Sequence, residues 1–185
     1  MDKRAAAASI EVGGLSVGME LDYQVASLRY FNSEGAFAAG VHEVIGQTLA
    51  QPLRAHALEA ASGGAPFILV WRSPTENLFL TRDAALVAEL QRRLAAETDG
   101  CMVEQTGGIR VLRVTGPKAR DLLLRLGSAT AAPAEVGGAC TGRMAELPVL
   151  TASIQAGEYL LMVERVYVDH LLEWMEATAA DLAGT

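Results

Sequence analysis

Lysine, cysteine and aromatic residues are scarce in this chain of 185 residues. Lys3 and Lys118 are its only lysines, Cys101 and Cys140 its only cysteines, and aromatics make up 5% of it. The two cysteines lie far apart, and neither has a histidine or second cysteine at ligand spacing. A zinc site and a disulfide framework are therefore excluded, and two buried thiols are the expectation. No run of ~18 uncharged apolar residues occurs, so no membrane-spanning helix is predicted. Ala5 to Ala8, behind Lys3 and Arg4, is too short and too weakly apolar for a signal peptide, which predicts a cytoplasmic chain. The chain also lacks the G-x-x-x-x-G-K-[ST] loop, and Gly13-Gly14, Gly107-Gly108 and Gly137-Gly138 are not followed by a pattern that would seat a pyrophosphate on a helix N-terminus.

The charge balance narrows the partners. Fifteen Lys plus Arg stand against 22 Asp plus Glu, a net charge of −7, with a sequence pI near 5.0. A phosphate backbone is repelled by the average surface of such a chain, so neither nucleic acid nor a membrane is an expected partner. What the chain has in quantity is apolar character: 51% hydrophobic residues and a mean hydropathy of +0.23. Apolar surface beyond what one core hides is often covered by another chain, which favours a subunit over a free-standing enzyme.

Periodicity predicts an α+β fold in which antiparallel β-hairpins alternate with single helices. Residues 1–18 read as a loose lead-in, and 19–185 as one domain, divisible into two small lobes near residue 100. A first strand is expected near Met19 to Tyr30. A helix follows, capped by Asn32 or Ser33 and carrying Phe37, Val41, Val44, Ile45 and Leu49 on one face until Pro52. Phe67 to Trp71, the turn residues Ser73 to Asn77, and Leu78 to Leu80 read as strand, turn and strand. Thr81 is the expected N-cap of a second helix spaced by Leu86, Leu90 and Leu94. Cys101 to Gln105 and Ile109 to Val114 flank Gly107-Gly108 as a two-glycine hairpin.

Thr115-Gly116-Pro117 then opens a helix through Leu122, Leu123 and Leu126, with Pro117 in its first turn and Gly127 as a left-handed cap. Beyond the connector from Ser128 to Gly138 comes Met144 to Gln155, in which Pro148 argues for an edge strand or a break. Ala156-Gly157 turns the chain into a strand from Tyr159 to Val163. The last helix places Val168, Leu171, Leu172, Met175, Ala179 and Leu182 on one core stripe. At about 100° per residue, Tyr167 and Trp174 sit roughly 100° from that stripe, with His170 further round. Tyr167, Trp174 and Trp71 are the candidate partner contacts, since such aromatics are enriched at interfaces.

No residue set stands out as catalytic, cofactor-binding or metal-binding. His42, His56 and His170 fall on separate segments and read as solvated or internally satisfied. Arg110, Arg113 and Arg143 are the groups best suited to grip an anionic substrate, although local pairing is the simpler reading. Glu158, Glu164, Asp169, Glu173 and Glu176 cluster toward the C-terminus; Asp169 and Glu173, at i and i+4, read most simply as a solvated helix face, with paired-carboxylate catalysis as the unsupported alternative.

Three stretches in order resemble the gamma subunit of heterotetrameric sarcosine oxidase, a family related in fold to the glycine-cleavage T-protein and to folate-binding demethylase domains. The first is Phe67-Ile68-Leu69-Val70-Trp71 with Ser73-Pro74-Thr75-Glu76-Asn77-Leu78-Phe79-Leu80, similar to an apolar run followed by G-P-x-E/D-x-W-L. The second runs Val111-Leu112-Arg113-Val114-Thr115-Gly116-Pro117-Lys118-Ala119-Arg120-Asp121-Leu122-Leu123. The third is Cys140-Thr141-Gly142-Arg143-Met144-Ala145-Glu146-Leu147-Pro148-Val149 with the strand and helix after it. The match covers roughly residues 65 to 180, and residues 19 to 60 fit more loosely. Ser73 stands where the family has a glycine and Asn77 where it often has a tryptophan.

The resemblance implies a non-catalytic subunit that carries no cofactor and packs on a large alpha subunit beside beta and delta subunits. It also implies FAD, FMN, NAD and tetrahydrofolate on those other subunits. The complex would demethylate sarcosine oxidatively to glycine and pass the one-carbon unit to tetrahydrofolate. The alternatives are a small folate-binding, aminomethyltransferase-like domain, and a homo-oligomer formed by the isolated chain.

Overall fold

The computed structural model describes residues 9–59, 66–128 and 130–184. Its chain divides into two compact units, one of residues 22–107 and one that joins the segment up to residue 21 to everything from Gly108 onward.

In the first unit five antiparallel strands form one sheet. They are β3 (Gln24–Tyr30), β4 (Ala55–Glu59), β5 (Pro66–Ser73), β6 (Glu76–Thr81) and β7 (Gly100–Glu104), in the order β4-β5-β6-β3-β7. Helices α1 (Ala36–Ile45) and α2 (Ala84–Leu94) cover one face, where Phe37, Val41, Ile45, Val87, Leu90 and Leu94 pack on Leu28, Phe67, Leu69 and Phe79. The alternate positions Val25, Ile68, Val70, Leu78 and Leu80 are buried as well. Burial on both faces explains why these strands read as continuous apolar runs instead of alternating ones.

The second unit carries six antiparallel strands in the order β1-β2-β8-β11-β10-β9. These are β1 (Ser9–Val12), β2 (Leu15–Glu20), β8 (Ile109–Thr115), β9 (Ala139–Met144), β10 (Leu147–Gln155) and β11 (Glu158–Glu164). Helices α3 (Ala119–Leu126) and α4 (Val168–Ala183) pack on it, and α4 buries Val168, Leu171, Leu172, Met175, Ala179 and Leu182 as its spacing predicts. Among the described residues no helix is long and apolar enough to cross a membrane.

The α+β class and antiparallel pairing hold, while several local expectations are corrected. The segment read as a loose lead-in contains the β1–β2 hairpin from residue 9 on; residues 1–8, with Lys3, Arg4 and Ala5 to Ala8, lie outside the described residues. The single strand expected from Met19 to Tyr30 is two strands that join different sheets, with Leu21 exposed between them. Gly107-Gly108 is not a hairpin turn. β7 pairs with β3 and β8 with β2 and β11, so the two runs belong to different sheets, and neither glycine has positive φ. Pro148 is not on an edge strand, but β10 pairs with β11 only from Leu150, so Pro148 meets β9 alone and withholds no ladder bond from β11.

The helix ends differ too. α1 ends at Gly46, in left-handed conformation at φ 71°, short of Leu49. Its N-cap is Gly35, and the Asp99 carboxylate accepts from Phe37 N–H at 2.9 Å in place of a local cap, while Asn32 accepts from Glu34 N–H just before the helix. Asp83, not Thr81, caps α2 by accepting from Ala85 N–H at 2.8 Å; Thr81 Oγ1 accepts from Asp83 N–H at 3.1 Å. Pro117 precedes the N-cap Lys118, and Gly127 is extended, bridging to Met144.

Asn77 shows how a polar residue enters the core. It sits in β6, not in the turn, which is only Pro74-Thr75 between paired Ser73 and Glu76. Its carbonyl accepts from Ala50 N–H at 2.7 Å and its amide donates to Tyr30 Oη at 2.9 Å, so a fully buried side chain is satisfied from both ends. Burial pushes the Tyr30 phenol up, and the bond from Asn77 partly opposes that. Asn77→Ala strands the Ala50 N–H and empties space in the core, and should lower unfolding free energy by about 2–4 kcal/mol in urea. An unchanged urea midpoint would show that the bond contributes nothing.

Gly116 has φ of 122°, donates its N–H to Gly157 O at 3.0 Å, and leaves so little room that a Cβ there would collide with the carbonyl oxygen of Gly14. Three turns of the six-stranded unit therefore converge on one glycine. Gly116→Ala should cost roughly 2–4 kcal/mol through strain and backbone displacement, read as a lowered thermal midpoint. A variant melting with the wild type would refute this packing.

Candidate functional site

Several arginines of this chain are met by its own carboxylates. Arg113, on β8, lies between the flanking strands: its Nε donates to Glu20 on β2 at 2.5 Å and its Nη1 donates to Glu158 on β11. Glu20 and Glu158 come from diagonal positions of the two ladders, so the double pairing of β8 delivers both carboxylates to one guanidinium. Arg143 donates to the carbonyl of Glu146 and lies 3.5 Å from its carboxylate. Arg93 joins α1 to α2 through Glu43 at 2.6 Å and also holds Glu97 at 2.6 Å. These bonds hold the Arg93 guanidinium above its usual range and the Glu43 carboxyl below its own. Arg143 thus pairs locally, as the simpler reading expects, whereas Arg113 is met by carboxylates 93 and 45 residues away in sequence.

The histidines are not brought together on one element: His42 is on α1, His56 on β4 and His170 on α4. Among the described residues no three His, Cys, Asp or Glu side chains are grouped to hold a metal ion. The thiols differ from expectation. Cys101 is exposed, because it lies on the edge strand β7, while Cys140 on β9 is half-buried.

A cleft of about 490 Å³ opens in the five-stranded unit. Arg29, Glu76, Phe31 and Cys101 are among its lining residues. Glu76 takes a hydrogen bond from Ser27 Oγ and lies 3.5 Å from Arg29 and 3.2 Å from Arg72, so one carboxylate is shared between two guanidiniums. Phe31 is 87% exposed at its lip. Sequence reasoning missed Phe31, although an aromatic directly before the turn residues Asn32 and Ser33 was a readable signal.

The three candidate contacts separate. Trp71, on β5, is half-buried and packs against the core beneath α1 and α2. Tyr167, in the single 3₁₀ turn Arg165–Tyr167, is half-buried against the core of the other unit. Trp174 on α4 is 52% exposed, and the His170 ring meets it edge-on with centroids 6.4 Å apart. Val166, also missed, is 79% exposed one residue before Tyr167. Asp169 and Glu173 are exposed on α4, as expected of a solvated helix face, and Glu176 is exposed as well, whereas Glu158 is taken up by Arg113.

Comparison with known proteins adds the following. The model of a family described as sarcosine oxidase, gamma subunit family, matches residues 29–181. The fold is similar to heterotetrameric sarcosine oxidase from Corynebacterium sp. U-96 in complex with pyrrole 2-carboxylate. That similarity has a TM-score of 0.80 and 21% identity over 97% of this chain and 91% of that one. It is also similar to glycine cleavage system aminomethyltransferase T from Bartonella henselae, with a TM-score of 0.64 and 12% identity over 88% of this chain and 45% of that one. No curated protein matches the chain in sequence.

The two thiols should react at very different rates. Burial pushes the Cys140 thiol up to about 11, so at pH 8 only about one part in a thousand is thiolate, and its rate should rise about tenfold per pH unit up to that value. Exposed Cys101 should be alkylated by iodoacetamide first, as read by peptide mass spectrometry. Equal labelling of both sites at pH 8 would contradict the burial of Cys140.

Proposed function

Because the chain belongs to the sarcosine oxidase gamma subunit family, whose model spans residues 29–181, we propose that it acts as a non-catalytic subunit of a sarcosine-oxidising complex. It packs on the large alpha subunit, with beta and delta subunits completing the assembly. FAD, FMN, NAD and tetrahydrofolate are held by those other subunits, and the complex converts sarcosine to glycine while the one-carbon unit passes to tetrahydrofolate.

The observation that carries this reading is the length of the family match, which includes elements of both units. The internal ionic pairing supports it. Arg113 is taken up by Glu20 and Glu158, and Arg29 and Arg72 share Glu76, so these three arginines serve as cross-links within the sheets. An arginine engaged with two carboxylates is already neutralised and makes a poor anchor for an anionic amino acid.

Co-expression with alpha, beta and delta subunits of such a complex tests the proposal. The chain should co-elute with them at fixed stoichiometry, and the flavin absorbance should follow the larger subunits when the complex is dissociated. A chain that elutes apart from all three, or that binds tetrahydrofolate with measurable heat on its own, would overturn it.

A further inference from the structure

The cleft of about 490 Å³ lies where the chain leaves β3. Tyr30 N–H donates to Thr75 O at 3.0 Å and Phe31 N–H donates to Asp99 O at 2.9 Å, so the β5–β6 turn and the approach to β7 are both tied to the departing chain. Arg29 stands opposite Glu76 on β6 and opposite Cys101 on β7, which sets the three in one row across the sheet. Phe31, two residues beyond Arg29, is 87% exposed. Backbone ladders thus hold the walls in place, and the volume is that of a small-ligand site.

Two polar groups on these walls are unengaged. The Arg29 side chain is 55% exposed, and its one ionic contact is Nε with Glu76 at 3.5 Å. Among the described residues no group accepts a hydrogen bond from its guanidinium, and the Thr75 hydroxyl makes none either. Glu76, by contrast, is 14% exposed and already taken up, receiving Ser27 Oγ and Arg72 Nη1. It steadies Arg29 from one side and leaves the rest of the guanidinium fork to the cleft. Open donors select an acceptor, and a carboxylate matches the planar fork. The exposed phenyl of Phe31 favours a flat apolar body behind that carboxylate. A second negative charge on the same molecule would face Glu76, so one charge fits better than two.

We propose that this cleft is a binding site for a small monocarboxylate with a flat apolar body, its carboxylate on Arg29 with the Thr75 hydroxyl as a second donor and its ring against Phe31. The site goes beyond the subunit role argued above and does not depend on it. Binding is non-covalent, and Cys101, on the same wall, serves only as a reporter of occupancy.

Benzoate is the probe. In the full chain at fixed ionic strength it should slow alkylation of Cys101 by iodoacetamide severalfold and saturably, while the rate at Cys140 stays unchanged. Benzamidine, with the same ring and the opposite charge, and acetate, with the charge and no ring, should give no protection at the same concentration. Arg29→Met should raise the benzoate concentration for half-protection roughly tenfold or more, and Phe31→Ala should raise it severalfold. Both variants should melt with the wild type, since both side chains are exposed; the benzamidine and acetate arms need no variant and decide the matter if one unfolds. Absence of protection by benzoate, equal protection by benzamidine or acetate, slowing of Cys140 alongside Cys101, or an unchanged half-protection concentration in Arg29→Met overturns the site. None of these outcomes touches the subunit reading, which co-elution decides.

Discussion

The six-stranded unit depends on β8 being paired along both sides. Ser16 to Glu20 lie along one edge of it and Glu158 to Glu164 along the other, in antiparallel register. One strand thereby brings together segments separated by more than a hundred residues of sequence. Closing loops of that size is entropically unfavourable, and the ladders, the buried alternate faces and the Arg113 cross-link offset it together. Arg113 reaches Glu20 on one neighbour and Glu158 on the other, so the guanidinium ties three strands at a single point. The glycine at the end of β8 completes the constraint. Only a residue without a side chain lets the β1–β2 turn, the β8–α3 turn and the β10–β11 turn share one corner.

Elements whose reason is local were legible in the sequence. The α4 stripe, the leucines of α2 and α3, and the apolar runs of β5 and β11 all appear where their periods put them. What escaped was set by distant partners. β1 and β2 are short and glycine-flanked, and nothing in residues 9–20 announces that β8 will hold them. Asn77 read as turn chemistry because its partners, Tyr30 and Ala50, are 47 and 27 residues away. Gly107-Gly108 had the composition of a hairpin, yet the runs on either side pair with different sheets, a choice no dipeptide encodes.

The site was legible mainly by elimination and by resemblance. Reading the arginines as locally paired anticipated Arg143 but not Arg113, whose two partners are brought to it by the strand registers. Of the three aromatics proposed as contacts, helical geometry placed two well. Tyr167 and Trp174 flank the core stripe, and the exposure of Trp174 follows from its angle. Trp71 follows four buried residues on its strand, and a strand's period leaves an aromatic on either face, so its packing against the core could not be read from the run alone.

The overall hydropathy has a different meaning from the one composition assigned to it. A value of +0.23 read as apolar surface awaiting a partner. In the folded chain most of that content is consumed inside, because each sheet buries alternate as well as helix-facing positions: Val70, Leu78 and Leu80 in one, Val111, Leu160 and Met162 in the other. Among the described residues the large apolar side chains left exposed are few, namely Leu21, Phe31, Leu53, Val103, Val136, Val166 and Trp174. A high average can therefore arise from strands buried twice over, without excess surface. Trp174 is set apart from the others by pattern and not by amount, since it alone of these lies on an α-helix at the edge of the core stripe, with the His170 ring against it. Position and charge, not quantity of apolar residue, distinguish an interaction face from scattered exposed side chains.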